Sequence, residues 1–315
     1  MMQTDPPAVS VAPARFVLPE LRSAGLASIV APFALVFLGG IAVTILQSVG
    51  LVGPGGGPGD GPSLEAYRRV FSSPGWAESL GFSLSVALSS AAISTLLGAV
   101  GGYAVWRLPP RLKRAAGVYK VPLVLPHITI AFVFLVLFSQ TGFFSSLLHR
   151  IGLIADYTEF PDLIYRRNGI VLTLAYIFKE TPFVILLILS ALRSFDRRLV
   201  TTGKLLGGSE ARIFRKIVVP FIAPAMQAIF AILLVYGFGA FDIPYILGRT
   251  RPAMMGVHIY DLYFSYGFSA RNEASAMLVL MLIVALVLLG ILSILFVSTR
   301  KPLRRNTAEN PEEEG

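Results

Sequence analysis

Residues 192–220 read LRSFDRRLVTTGKLLGGSEARIFRKIVVP. The stretch is amphipathic and too polar to cross a membrane, yet it lies between two long apolar runs. Leu199, Leu205 and Leu206 alternate with polar residues ahead of Gly207 and Gly208. Ser209 has the side chain of an N-cap, and after it Ile213, Phe214 and Ile217 form an apolar stripe. The pattern predicts a helix, a glycine joint, and a second helix that bends into an apolar span near Pro220. Glycine suits the joint because it adopts backbone angles that other residues avoid. On the residues alone two readings stand. The segment is a protruding lever that docks on a soluble partner, or it is an interfacial connection between two spans.

Outward from this segment the chain is strongly apolar. Of its 315 residues, 55% are hydrophobic and 14% charged, against about 25% charged in soluble domains. Mean hydropathy is +0.71. A helix needs about 20 apolar residues to cross a bilayer. Six runs approach or exceed that length: 24–52, 80–106, 121–137 with an extension toward 144, 170–192, 218–241 and 276–297. The expected fold is therefore all-α and polytopic, with six transmembrane helices and both ends on one side. The first run is expected to be a span and not a cleaved leader, because it follows more than 20 residues broken by prolines and polar groups and exceeds the length of a leader's apolar core. The Gly/Pro-rich loop 53–63 is expected to be flexible, Leu64 to Phe71 to form a short interfacial helix, and the acidic tail 306–315 to be disordered.

Zero cysteines exclude a disulfide scaffold, thiol catalysis and thiolate metal sites. The net charge of +9 raises the question of nucleic acid, and the distribution of charge answers it. The face holding both ends and the loops at 107–120 and 193–216 carries 18 basic residues, and the opposite face 8. The positive-inside rule places the first face in the cytoplasm. Anchoring beside anionic lipid accounts for the clusters, so no nucleic-acid partner is expected. No phosphate-binding G-x-x-x-x-G-K-[ST] loop and no H-E-x-x-H motif occurs. His127, His149 and His258 lie far apart, so no metal, no cofactor and no catalytic residue is expected.

The segment at 192–220 resembles the cytoplasmic signature of the permease subunits of binding-protein-dependent ABC importers. That signature reads Glu-Ala-Ala, three residues, Gly, then a run ending in Ile-x-Leu-Pro. Thr201, Thr202 and Gly203 stand at the triplet positions, where the Glu-Ala-Ala itself is absent. Gly207 stands at the signature glycine, Phe214 at the usual aromatic, Ile217 at the Ile, Val219 at the Leu and Pro220 at the proline. Pro224 matches a frequent second proline. Further similarity runs from about residue 80 to 298: the opening span 81–107, Pro126 in the next span, the turn SQTGFFSSLL at 139–148, and FDIPYILG at 241–248, which looks like the polyamine-type permeases.

The resemblance implies a MetI-like permease fold in the bacterial inner membrane with both termini cytoplasmic. It divides the chain into a cytoplasmic tail (1–23), a permease domain (24–298, core 80–298) and a second tail (299–315). It also implies three kinds of partner: ABC ATPase subunits, a second permease identical or homologous to this one, and an extracytoplasmic solute-binding protein. The chain itself is then no enzyme. Thr201, Thr202, Gly203, Gly207, Ser209, Phe214, Ile217 and Pro220 are the expected ATPase-coupling residues. Lys179 and Glu180 stand in mid-span, where charge is costly and faces a bundle interior or a cavity. They read as pathway elements, with Tyr236 and Asp242, or as a structural ion pair. The solute is expected to be small and polar. A polyamine fits the local resemblance, while Asp242, Asp261 and Glu273 on the outer side are matched by Arg249, Arg251 and Arg271. An ion-gradient-driven transporter or channel is the competing reading.

Overall fold

The computed structural model describes residues 23–53, 61–166, 168–267 and 270–299. The expected terminal tails and most of the glycine-rich loop lie outside the described residues. In chain order the helices are α1 (Ser23–Ser48), α2 (Glu65–Ser72), α3 (Pro74–Arg107), α4 (Pro110–Ala115), α5 (Val121–Val124), α6 (His127–Phe138), α7 (Phe143–Arg150), α8 (Ile170–Ala191), α9 (Arg197–Leu205), α10 (Glu210–Ile213), α11 (Val219–Phe238), α12 (Asp242–Leu247), α13 (Met255–Ser265) and α14 (Ala270–Thr299). Among the described residues there is no strand. Six helical stretches are long and apolar enough to cross a membrane: Val30–Ser48, Pro74–Arg107, His127–Arg150, Ile170–Ser194, Glu210–Phe238 and Ala270–Phe296.

The centre is α3 packed against α8 and α11. Ser79, Ser83, Ala87, Ser94, Gly98 and Gly102 recur at helical spacing on α3 and form a stripe of small residues. A Cβ built on Gly98 would stand 2.3 Å from the Cβ of Val184, and one on Gly102 2.7 Å from Ile188. Backbone approach here is closer than any side chain allows. Ser83 Oγ accepts a hydrogen bond from Met255 N at 2.8 Å, and Ser79 Oγ lies 3.0 Å from His258 Nδ1, so the stripe also ties down α13. Burial pushes the His258 imidazole below its ordinary range; Asp261 opposes that shift and Arg251 adds to it.

At the periphery α1 packs on α14. Phe33, Leu35 and Val36 of α1 expose 74–76% of their surface, an apolar area that lipid or another protein covers. Gly101 extends the close approach of α3 and α8, with Ile185 Cδ1 3.0 Å from a Cβ built there. Gly39 and Gly40 have nothing within 4 Å.

The third run departs from expectation. It is not one helix but α5 and α6, separated at Leu125, whose backbone is extended (ψ 133°). Pro126 explains the break, since a proline ring disfavours helical angles in the residue before it. The run also stops at Phe138, short of 144, and α7 follows a tight turn. A Cβ on Gly142 would lie 2.4 Å from Val136 O, so the turn admits only glycine.

Candidate functional site

Two constellations stand out, one at the end of the bundle where α3 finishes and one at mid-depth. At the first, the chain leaves α8 through Phe195 and runs α9, a glycine turn, α10 and a π-helical turn (Phe214–Val218) into α11. Asp196 caps α9 by accepting from Arg198 N at 2.9 Å. Ser209 caps α10 by accepting from Arg212 N at 3.4 Å, as its sequence position predicts. Gly207 carries φ +76°, the left-handed conformation that glycine adopts at no steric cost. Gly203 lets α9 lie on the following helix: a Cβ there would stand 3.1 Å from Ile217 and 3.2 Å from Ile213.

This helical pair is bolted to the end of α3. The Phe214 ring sits 5.1 Å from Tyr103, and Phe195 meets Trp106 edge-on at 5.7 Å. The Arg197 guanidinium lies 4.6 Å over the Trp106 ring, a cation–π contact. Glu210 receives Lys204 Nζ at 2.7 Å and also pairs with Arg107. Of the predicted coupling residues, Gly203, Gly207, Ser209, Phe214 and Ile217 thus shape the loop, while Thr201, Thr202 and Pro220 are exposed. Sequence reasoning missed the receiving surface of Tyr103, Trp106 and Arg107, although an aromatic-basic helix end was its signal. At the tip Leu205 and Leu206 are 83% and 82% exposed, an apolar pair that no described residue covers.

At mid-depth the two adjacent charges of α8 part company. Lys179 is buried and donates to three carbonyls of the broken run: Pro122 O at 2.7 Å, Leu123 O at 3.4 Å and Leu125 O at 2.5 Å. These are carbonyls that the end of α5 leaves without helical partners. Glu180 turns instead toward His127, the first residue of α6, with Nε2 and Oε1 3.6 Å apart. Tyr236 Oη from α11 lies 2.7 Å from the same Nε2. Asp242 lies within electrostatic range of His127 and Tyr236. The predicted residues Glu180, Tyr236 and Asp242 are therefore brought together, and Lys179 serves the helix break beside them. His127 was missed as the hub because one histidine amid apolar residues carries no spacing signal. Among the described residues no group of three His, Cys, Asp or Glu is placed to hold a metal.

Discontinuous spans with polar groups at the break are a general feature of membrane transporters. A family model described as the inner membrane component of binding-protein-dependent transport systems matches residues 94–300. The chain belongs to this family. As such a permease it is a polytopic inner-membrane subunit of an ABC importer, forming the pathway of a solute and working with ATPase and solute-binding partners. Its curated relatives include the spermidine/putrescine permease protein PotC of Haemophilus influenzae (25% identical over 231 residues, 73% of this chain and 81% of the relative). PotC of Escherichia coli K12 is 32% identical over 147 residues, about half of either protein (46% and 47%). The sn-glycerol-3-phosphate permease protein UgpA of Pectobacterium atrosepticum is 28% identical over 233 residues, 70% of this chain and 75% of the relative. Among solved structures, a bacterial importer of the acidic polysaccharide alginate superposes with a TM-score of 0.72 at 18% identity (88% of this chain, 96% of that one). The methionine transporter MetNI superposes with 0.53 at 16% identity (71% and 96%). Both share the MetI-like permease fold.

Proposed function

We propose that this permease imports a small amine of the polyamine class, with the loop 197–218 in the cytosol as the element that an ATPase moves. The observation that carries the mechanism is the loop's construction. A glycine hinge joins two capped helices, its tip presents Leu205 and Leu206, and its base grips the end of α3 through rings and ion pairs. A push on the tip is then a push on α3 and α11, the tilt that alternating access needs. In this reading both termini are cytoplasmic, residues 24–298 form the membrane domain with its core at 80–298, and a second permease, identical or homologous, completes the pathway. Thr201 and Thr202 lie on the exposed face of α9 and belong to the ATPase contact. Likeness to PotC and the carboxylates of Glu180 and Asp242 around His127 and Tyr236 favour a cation as solute. The ion-gradient alternative needs Lys179 free to titrate, and its ammonium is committed to three carbonyls.

The test is Gly207→Val in the complex with its ATPase, second permease and binding protein. A β-branched residue at φ +76° is strained by about 1–2 kcal/mol. ATP-driven uptake into proteoliposomes is expected to fall roughly tenfold while membrane insertion persists. Unchanged uptake, or solute flux in the absence of any ATPase, contradicts the reading.

A further inference from the structure

Glu180 lies within a membrane span with His127 at 3.6 Å. Its carboxylate accepts no hydrogen bond among the described residues. The one hydrogen-bonding position of His127 Nε2 is taken by Tyr236 at 2.7 Å, so the imidazole at 3.6 Å sends no proton to Glu180. Lys179, next in sequence, spends its ammonium on the α5 carbonyls. Glu180 keeps 13% of its side chain exposed and has only the 3.6 Å approach of His127, which leaves a deficit of donors and of positive charge at the break of a span. His127 and Tyr236 keep 31% and 41% of their surface exposed, so the deficit opens outward from the bundle and is not sealed within it.

We propose that Glu180 and Tyr236, steadied by His127, form a subsite for a primary ammonium group of the transported solute. The chemistry matches on three counts. An ammonium brings three donors and no acceptor, the Glu180 carboxylate accepts, and the face of Tyr236 suits a cation. Asp242 adds a second negative charge for the remainder of a polyamine. Lys179 is a positioning residue: it holds the α5 end so that α6 presents His127. This subsite rests on the permease reading above and adds to it which side chains meet the solute.

The experiment uses the assembled transporter in proteoliposomes, with spermidine, putrescine and sn-glycerol 3-phosphate as probes. Wild type is expected to import the two amines on ATP. Glu180→Gln is expected to lower amine uptake about 30-fold, the loss typical of removing one partner of a desolvated charge pair, while ATP hydrolysis stimulated by the binding protein persists. Glu180→Asp recovers part of the uptake, and Tyr236→Leu lowers it less than Glu180→Gln. Wild-type import of neither amine overturns the subsite, and so does Glu180→Gln at wild-type rates. Import of glycerol phosphate alone overturns the subsite and leaves the permease reading intact. If Glu180→Gln weakens assembly but the assembled complexes import amine normally, Glu180 answers a cation of the second permease, and the subsite is again overturned. A wild-type complex that neither couples to nor stimulates an ATPase removes the permease reading itself.

Discussion

Lys179 and Glu180 are neighbours of opposite charge that do not pair. Adjacent residues on a helix point about 100° apart, and each finds a partner in a different half of the broken third run. Lys179→Met removes the donor and leaves buried carbonyls, each costing about 1–3 kcal/mol. The expected outcome is a thermal midpoint lowered by roughly 5 °C or more, with uptake lost in proportion to folded complex, as measured by fluorescence-detected size exclusion after heating. A midpoint equal to wild type would mean that the helix break holds without the lysine. The opposite charges and mid-span position of this pair were legible in the sequence. Its separation into a cation held by the α5 carbonyls and an anion facing His127 was not, because that depends on Pro126 breaking a distant segment and aiming its carbonyls at α8.

At the scale of elements, packing between α3 and α8 rests on absent side chains. Gly98, Gly101 and Gly102 face Val184, Ile185 and Ile188, and a Cβ on Gly98 has no room within 2.3 Å. Gly98→Val is expected to force the helices apart, at about 1–3 kcal/mol or more, and to lower the yield of folded protein extracted in mild detergent. Gly39→Ala, where nothing lies within 4 Å, is the matched control and leaves the yield unchanged. Both glycine pairs look alike in sequence. Only the neighbour that each meets separates them, which is a property of two helices and not of one.

At the scale of the whole molecule, orientation follows from charge. Every lysine other than Lys179 falls on the side assigned to the cytosol. A membrane-impermeant amine reagent is therefore expected to leave this chain unlabelled in intact cells and to label Lys204 and Lys216 once the cells are opened, read by peptide mass spectrometry. Labelling of Lys204 from outside would invert the bundle and take the ATPase contact at Leu205 and Leu206 with it.

The six apolar runs, the amphipathic break between the fourth and fifth, and the N-cap at Ser209 were all determined by the chain's own composition and spacing. Local hydrophobicity and capping are settled within a few residues, so they survive being read one residue at a time. Tertiary structure alone decided that Phe214 and Phe195 clasp the end of α3, that the α5 carbonyls meet Lys179, and that His127 joins Glu180 to Tyr236. Those contacts link residues up to 111 positions apart, and their free energy exists only when separate helices bury the same surface together.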